Sequence, residues 1–196
     1  MTHRSRAMIG LALLLGGCAS DPPARIYVLS PPADDKPWVT ATAAAPVLQL
    51  QRVVIPDYID TTEILVRIGP NEIKASATGR WGERLSQGLE HALAAALAAR
   101  LPQDRITLAS SSDRSARRLT VIADAFDVQP DGRSVLTASW TILGPNPDVA
   151  PRTGSGVFAT PAVTGSISDA SIVAAMSRAI GLLADRIAID AELPRS

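Results

Sequence analysis

The chain has 196 residues, 46% of them hydrophobic, and its 19 basic residues equal its 19 acidic residues in number. This hydrophobic content is ordinary for a globular domain and argues against a disordered chain. Balanced charge provides no basic field, so nucleic acid is not an expected partner. Because Cys18 is the single cysteine, an intramolecular disulfide is excluded.

The N-terminus has the pattern of a bacterial lipoprotein signal peptide. A short basic region precedes an apolar run of 11 residues, 7–17, which is too short to span a bilayer. The sequence Leu-Gly-Gly-Cys at 15–18 resembles the lipobox, whose cysteine becomes lipidated. We therefore predict a signal peptide at 1–17 and lipidation of Cys18, whose acyl chains would anchor the mature protein to the membrane without spanning it.

The residue after Cys18 predicts the membrane that holds the anchor. An aspartate there retains enterobacterial lipoproteins in the inner membrane, whereas this chain has Ala19. In a host with two membranes, we expect the outer membrane, with the protein body facing the periplasm. Removing Arg4 and Arg6 from the 19 basic residues leaves 17 against 19 acidic ones, a mature net charge of about −2.

The remaining chain is predicted to contain one domain. Residues 18–46 are expected to form a lipidated tether, a short strand and a proline-rich loop, in which Trp38 would pack on its own domain. The domain itself is predicted at 47–190, followed by a C-terminal tail at 191–196.

The stretch 48–101 is predicted to form a strand, a Pro-Asp-Tyr corner, a hairpin and a long helix. Alternating aliphatic residues at 64–68 precede a Gly-Pro-Asn turn and a second strand at 72–77. From Trp81, leucines recur at every fourth position, which predicts an amphipathic helix that begins near Trp81 and ends before Pro102.

The second half is predicted to add a hairpin, two short strands and a final helix. Alternation in the first hairpin strand, 118–128, predicts that Phe126 and Val128 face away from Leu119 and Val121. Its partner strand is expected at 134–143, the short strands at 105–109 and 154–160, and a helix capped by Ser168-Asp169 after them. The sum is an α+β fold, a mixed, mostly antiparallel sheet packed against two amphipathic helices.

Groups that could carry catalysis are scarce. The mature chain has one histidine, His91, which is expected on the polar arc of its helix, and no G-x-S-x-G motif. We expect no metal, no cofactor and no enzymatic activity, since one histidine and a lipidated cysteine cannot form a His/Cys metal site. Two carboxylates can hydrolyse a glycan, and the available pairs are Asp57 with Asp60 and Asp124 with Asp127.

The two corner carboxylates are more simply explained by local structure. Asp57 is expected to form a hydrogen bond within the turn after Pro56. Asp60 is expected to cap the backbone segment that leads into the hairpin.

Three stretches resemble the PqiC family of ABC-type transport auxiliary lipoproteins. They are Val-Val-Ile-Pro-Asp-Tyr-Ile-Asp at 53–60, the strand 63–67 that ends in Arg67, and Trp-Gly-Glu-Arg-Leu at 81–85. The family pattern has Leu-Pro-x-Tyr-Leu-Asp and Trp-Ala-Glu-x-Leu, so Ile59 and Gly82 are mild departures. The resemblance continues at 27–29, 121–127, 140 and 174–177, and so covers nearly the whole mature chain.

This resemblance implies a non-catalytic accessory of an intermembrane lipid transport system. The expected partners are an MCE-domain protein and inner-membrane transporter subunits, and a homo-oligomer is expected. The motif residues would either hold the corner, hairpin and helix together or contact a partner. They are Pro56, Asp57, Tyr58, Arg67, Trp81 and Glu83.

Two alternatives remain open at this point. A stand-alone envelope lipoprotein that binds peptidoglycan or another outer-membrane protein would also have an anchor, a proline-rich tether and no catalytic groups. A hydrolytic lipoprotein would use Asp57 or Asp124 with a second carboxylate.

Overall fold

The computed structural model describes residues 23–30, 41–110 and 113–192. These residues form eight strands and two helices in the following order: β1 Arg25–Tyr27, β2 Val47–Val54, β3 Glu63–Gly69, β4 Glu72–Trp81, α1 Leu85–Arg100, β5 Arg105–Thr107, β6 Arg117–Val128, β7 Ser134–Leu143, β8 Arg152–Ala159 and α2 Asp169–Glu192. The predicted α+β class is confirmed. Strand β1 lies inside the segment 18–46, and α2 continues past residue 190 to Glu192.

The strands separate into two sheets, which the sequence did not indicate. One has five strands in the order β5-β2-β6-β7-β8, and the other has three in the order β1-β4-β3. The two predicted hairpins, β3-β4 and β6-β7, are antiparallel, as is the pair β7-β8. Strand β2 pairs in parallel with both β5 and β6, and β1 pairs in parallel with β4.

The two helices pack together and cover one face of the five-stranded sheet. Helix α1 contacts β2 and β5, and α2 contacts β7 and β8. Leucines spaced four residues apart on α1 are fully buried, as is the apolar stripe of α2. These residues are Leu89, Leu93, Leu97, Ile180, Leu183 and Ile187. In the described residues, neither helix is long and apolar enough to cross a membrane.

The first helix begins later than predicted. Trp81 is the last residue of β4, where its N–H donates to the carbonyl oxygen of Thr62 at 2.8 Å. The next residue, Gly82, donates to the carbonyl oxygen of Tyr27 at 2.8 Å, and Arg84 is still extended with ψ of 145°. These tertiary hydrogen bonds keep 81–84 out of the helix, although Trp81 is buried in the same core as the leucine stripe.

The prediction that Phe126 and Val128 face away from Leu119 and Val121 was wrong. The pairing of β6 with β7 shifts between Ala123 and Ala125, so Asp124 is an extra residue in β6. Such a bulge reverses the alternation, and Phe126 and Val128 are therefore buried in the same core as Leu119 and Val121.

Candidate functional site

The segment 55–62, called the corner, connects β2 to β3. Within it, the N–H of Ile59 donates to the carbonyl oxygen of Pro56 at 3.1 Å, and the N–H of Asp60 donates to that of Asp57 at 3.2 Å. Proline restricts its own φ to a value that suits such a turn. The turn directs the Ile59 side chain into the core, where it is 3% exposed, and leaves Asp57 and Tyr58 on the surface.

Asp127 of β6 connects the corner to the hairpin β3-β4. Its Oδ1 accepts a hydrogen bond from the Tyr58 hydroxyl at 3.1 Å, and its Oδ2 accepts one from Nη2 of Arg67 at 3.0 Å. The other terminal nitrogen of Arg67 donates to the carbonyl oxygen of Pro70 at 2.9 Å, in the β3-β4 turn. We call Tyr58, Arg67 and Asp127 the Asp127 junction.

The bulge at Asp124 makes this junction possible. Because Phe126 and Val128 point into the core, Asp127 between them points to the other side of β6, where β3 and the corner lie. The Asp127 side chain is 14% exposed and that of Arg67 is 23% exposed, so this ion pair is partly shielded from water.

The junction favours a neutral tyrosine and a charged arginine. Burial raises the pKa of Tyr58, and the negative charge and hydrogen bond of Asp127 add to this effect against the opposing charge of Arg67. The hydrogen bond and charge of Asp127 also raise the pKa of Arg67. Tyr58 therefore stays a hydrogen-bond donor at neutral pH, and it is not positioned as a base.

Asp60 caps helix α1, not the hairpin as expected. Its Oδ1 accepts a hydrogen bond from the N–H of Ser86 at 3.1 Å, and its Oδ2 accepts one from Nε of Arg84 at 3.3 Å. Arg84 occupies the N-cap position but provides no side-chain cap, so Asp60 satisfies the helix end from elsewhere in the chain. Burial opposes ionisation of Asp60, but the Ser86 hydrogen bonds and the Arg84 charge outweigh it and lower its pKa.

The other motif residues are dispersed around the corner. Trp81 is buried beneath it, at 5% exposure. Glu83 lies on the surface, where its Oε2 is 3.2 Å from Nδ1 of His91. Asp57 contributes its carbonyl oxygen to the turn, and its exposed carboxylate has no hydrogen-bond partner among the described residues. Cys18 lies outside the described residues.

One carboxylate of each pair weighed for hydrolysis is engaged in another contact. Asp60 binds Arg84 and the helix end, Asp127 binds Arg67, and Asp124 is the exposed residue of the bulge. In the described part of the chain, no group of three metal-binding side chains comes together.

The hollow beside the corner is small and open. It measures about 180 Å³ and is lined by residues that include Arg52, Asp57 and Glu90. Pockets for small molecules are usually about 300–1,000 Å³. The corner therefore presents a surface and not an enclosed ligand pocket.

Reasoning from the sequence missed the role of Asp127. It associated Tyr58 and Arg67 through the family pattern but assigned Asp127 only to a carboxylate pair. The available signal was that the resemblance extends through 121–127, yet regular alternation placed Asp127 on the wrong face. No pattern in the sequence marks the bulge.

Comparison with known proteins identifies a family for this chain. The model of a family described as ABC-type transport auxiliary lipoprotein component matches residues 27–188. No curated protein matches the chain in sequence.

Two solved structures share the fold. A crystal structure of an uncharacterised protein has a TM-score of 0.71 at 15% identity, covering 87% of this chain and all of that one. A protein from Xanthomonas campestris has a TM-score of 0.58 at 20% identity, covering 84% of this chain and 93% of that one. Because the family model spans both sheets, both helices and the whole Asp127 junction, the chain belongs to the family of ABC-type transport auxiliary lipoprotein components.

Proposed function

We propose that the mature protein is an outer-membrane-anchored lipoprotein that serves as a docking subunit of an intermembrane lipid transport system. Its body would face the periplasm and bind an MCE-domain protein that works with ABC-type subunits of the inner membrane. The observation that carries this proposal is the family match over residues 27–188. The anchor at Cys18 would hold the docking body at the receiving or donating membrane.

The geometry of the corner supports a non-catalytic role. The charged side chains of Asp60, Arg67 and Asp127 pair within the domain, where they connect the corner to β3, β6 and α1. A general acid or base must reach a substrate proton, and these groups already have fixed partners.

Assembly into a homo-oligomer is part of this proposal. Strand β8 is an edge of the five-stranded sheet and pairs only with β7 among the described residues. Its Val157 is 65% exposed, and the strand has one charged residue, Arg152. An edge of this kind can accept another strand. Light scattering on the purified protein tests this, and a monomer at all concentrations would contradict it.

The partner is tested by crosslinked affinity purification of the tagged, lipidated protein from its native envelope. We expect mass spectrometry to find an MCE-domain protein and transporter subunits enriched over a tagged, unrelated outer-membrane lipoprotein. Recovery of only peptidoglycan fragments or unrelated outer-membrane proteins would contradict the proposal and favour a stand-alone envelope lipoprotein.

The anchor is tested by Cys18→Ala. Loss of the lipidated thiol should leave unprocessed precursor in the inner membrane, whereas the wild-type protein fractionates with the outer membrane. Normal processing and outer-membrane fractionation of the variant would refute lipidation at this residue.

A further inference from the structure

Strand β1 and the residue that follows it present two aliphatic side chains to solvent. Ile26 is 66% exposed and Val28 is 57% exposed, and residues two apart on an extended chain point to the same side. A Cβ added to Gly82 would lie 3.3 Å from Cγ2 of Ile26 and 3.2 Å from Cγ1 of Val28. Both side chains therefore converge over Gly82, and we call these three residues the β1 patch.

The fold does not need this patch for its own stability. Tyr27, between the two aliphatic residues, packs against the core and pairs with Trp81 of β4, and Leu29 is buried. These inward side chains and the hydrogen bond from Gly82 to Tyr27 already hold β1 in place. Ile26 and Val28 thus expose apolar surface that the described part of the domain does not cover.

The position of β1 in the chain suggests what covers the patch. Ile26 follows Cys18 by eight residues, and an extended chain spans at most about 3.6 Å per residue, so their separation cannot exceed roughly 29 Å. β1 is also the first described element after Cys18. A lipid on Cys18 would therefore keep the patch within roughly 29 Å of the anchor in the bilayer.

One cation lies on the same side of the sheet as the patch. Arg80 is in register with Ile26 of β1 on one side and with Glu63 of β3 on the other. It donates from Nη1 to the carbonyl oxygens of Ser76 and Gly79, which hold its guanidinium beside β1. Exposed aliphatic groups beside arginine are the composition of surfaces that lie in a membrane interface.

We propose that the β1 patch contacts the bilayer that holds the Cys18 acyl chains. Ile26 and Val28 enter the interface below the phosphates, and Arg80, in register with Ile26, lies on the same side of the sheet. Two side chains alone would bind weakly, but the tether makes the encounter intramolecular and raises the effective lipid concentration. This inference rests on the proposed anchor, and it orients the three-stranded sheet toward the membrane.

The test compares Ile26→Cys with Ile189→Cys, each carrying an environment-sensitive fluorophore on the new thiol. Ile189 is the matched control, since it is 55% exposed and lies on α2 and not on the β8 edge proposed for strand pairing. The lipidated variants are placed in vesicles of phosphatidylethanolamine and phosphatidylglycerol that contain a spin-labelled phospholipid. Because aliphatic burial shifts a partition equilibrium several-fold, we expect quenching at position 26 to exceed that at 189 by about threefold or more. Equal quenching at the two positions would overturn the proposal.

Two further measurements separate the possible failures. In a non-lipidated Cys18→Ser protein produced without residues 1–17 and measured without vesicles, the fluorophore at position 26 should be as solvent-exposed as that at 189. A shielded fluorophore there would show that the protein covers its own patch and would overturn the proposal. A wild-type protein that reacts with the thiol reagent would have a free Cys18, which overturns the anchor itself and this inference with it.

Discussion

At the scale of single residues, Asp127 receives hydrogen bonds from two segments that are distant in sequence. Tyr58 lies 69 residues and Arg67 lies 60 residues before it. The Arg67 side chain is only 23% exposed, so removal of the acceptor leaves its Nη2 without its partner, whereas Tyr58 is 45% exposed and can bind water instead. The family-motif residues Tyr58 and Arg67 therefore have a structural role that is independent of any partner contact.

A double-mutant cycle on Arg67→Ala and Asp127→Ala should show that this ion pair is coupled. Because both side chains are partly shielded, we expect each single change to lower the free energy of unfolding by about 1–3 kcal/mol, with a coupling energy of about 1 kcal/mol. Urea denaturation measures both quantities. The control pair, Arg133 and Asp131, is 3.9 Å apart and nearly half exposed, and its coupling should be close to zero. Equal coupling in the two pairs would contradict the prediction.

Asp60→Asn should make the free energy of unfolding less sensitive to pH in the acidic range. Since the folded state lowers the pKa of Asp60, its ionised form stabilises the fold above the unfolded pKa of about 3.9. That contribution is lost as pH falls through the lower folded pKa. The variant should be less stable at pH 7, by about 1 kcal/mol, and lose less stability below pH 4. Asp57→Asn, which changes a neighbouring exposed carboxylate, is the control, and parallel curves for Asp60→Asn and the wild type would refute the prediction.

At the scale of elements, the bulge in β6 determines which side chains reach the core and which reach the corner. One extra residue, Asp124, rotates the second half of the strand relative to the first. As a result the strand contributes Phe126 to the core and Asp127 to the junction. A regular strand of the same sequence would expose Phe126 and bury Asp127.

Deletion of Asp124 should therefore be tolerated, because it removes only the extra residue. Regular alternation then keeps Phe126 and Val128 on the core face, and the stability should change by at most about 1 kcal/mol. Deletion of Ser139, in the regular part of β7, instead turns the buried Trp140 away from the core, at a cost of about 4 kcal/mol or more. Thermal unfolding followed by circular dichroism compares the two, and a deletion of Asp124 as destabilising as that of Ser139 would contradict the assignment of Asp124 as the extra residue.

At the scale of the whole molecule, the C-terminal end of α2 is attached to strands from several parts of the chain. Nε1 of Trp140 donates to Oδ2 of Asp190 at 3.0 Å, and Arg152 donates to the carbonyl oxygen of Asp190 at 2.8 Å. Arg117 of β6 donates to the carbonyl oxygen of Ala191 at 3.1 Å and pairs with Asp104 at 2.6 Å. These contacts hold the C-terminal end of α2 against the five-stranded sheet.

Arg117→Met should be strongly destabilising because it leaves the Asp104 carboxylate, only 6% exposed, without its cation. Loss of one partner from a buried pair costs about 3–5 kcal/mol. The double variant Arg117→Met/Asp104→Leu should recover part of this loss, since it removes the unpaired charge. Arg118→Met, on the exposed side of the same strand, is the matched control. A loss no larger than that of the control, measured by chemical denaturation, would contradict the prediction.

Most elements of this fold could be predicted from the sequence because their signals are local. The leucine repeat of α1, the Gly-Pro-Asn and Pro-Asp-Gly turns and the serine cap of α2 each act within a few residues. The N–H of Ser171 donates to Oγ of Ser168 at 3.2 Å, as a capping residue requires. The family resemblance likewise depended on short motifs and needed no knowledge of the fold.

By itself, the sequence determined the α+β class, the two helices, the two hairpins and the residues of the family motif. Only the tertiary structure decided the division into two sheets, the bulge at Asp124, the start of α1 after Trp81 and the roles of Asp60 and Asp127. Periodicity and turn chemistry report the preferences of neighbouring residues. These other features depend on hydrogen bonds and packing between segments 20 to 70 residues apart, such as those from Tyr58 and Arg67 to Asp127. A local sequence pattern cannot predict such contacts.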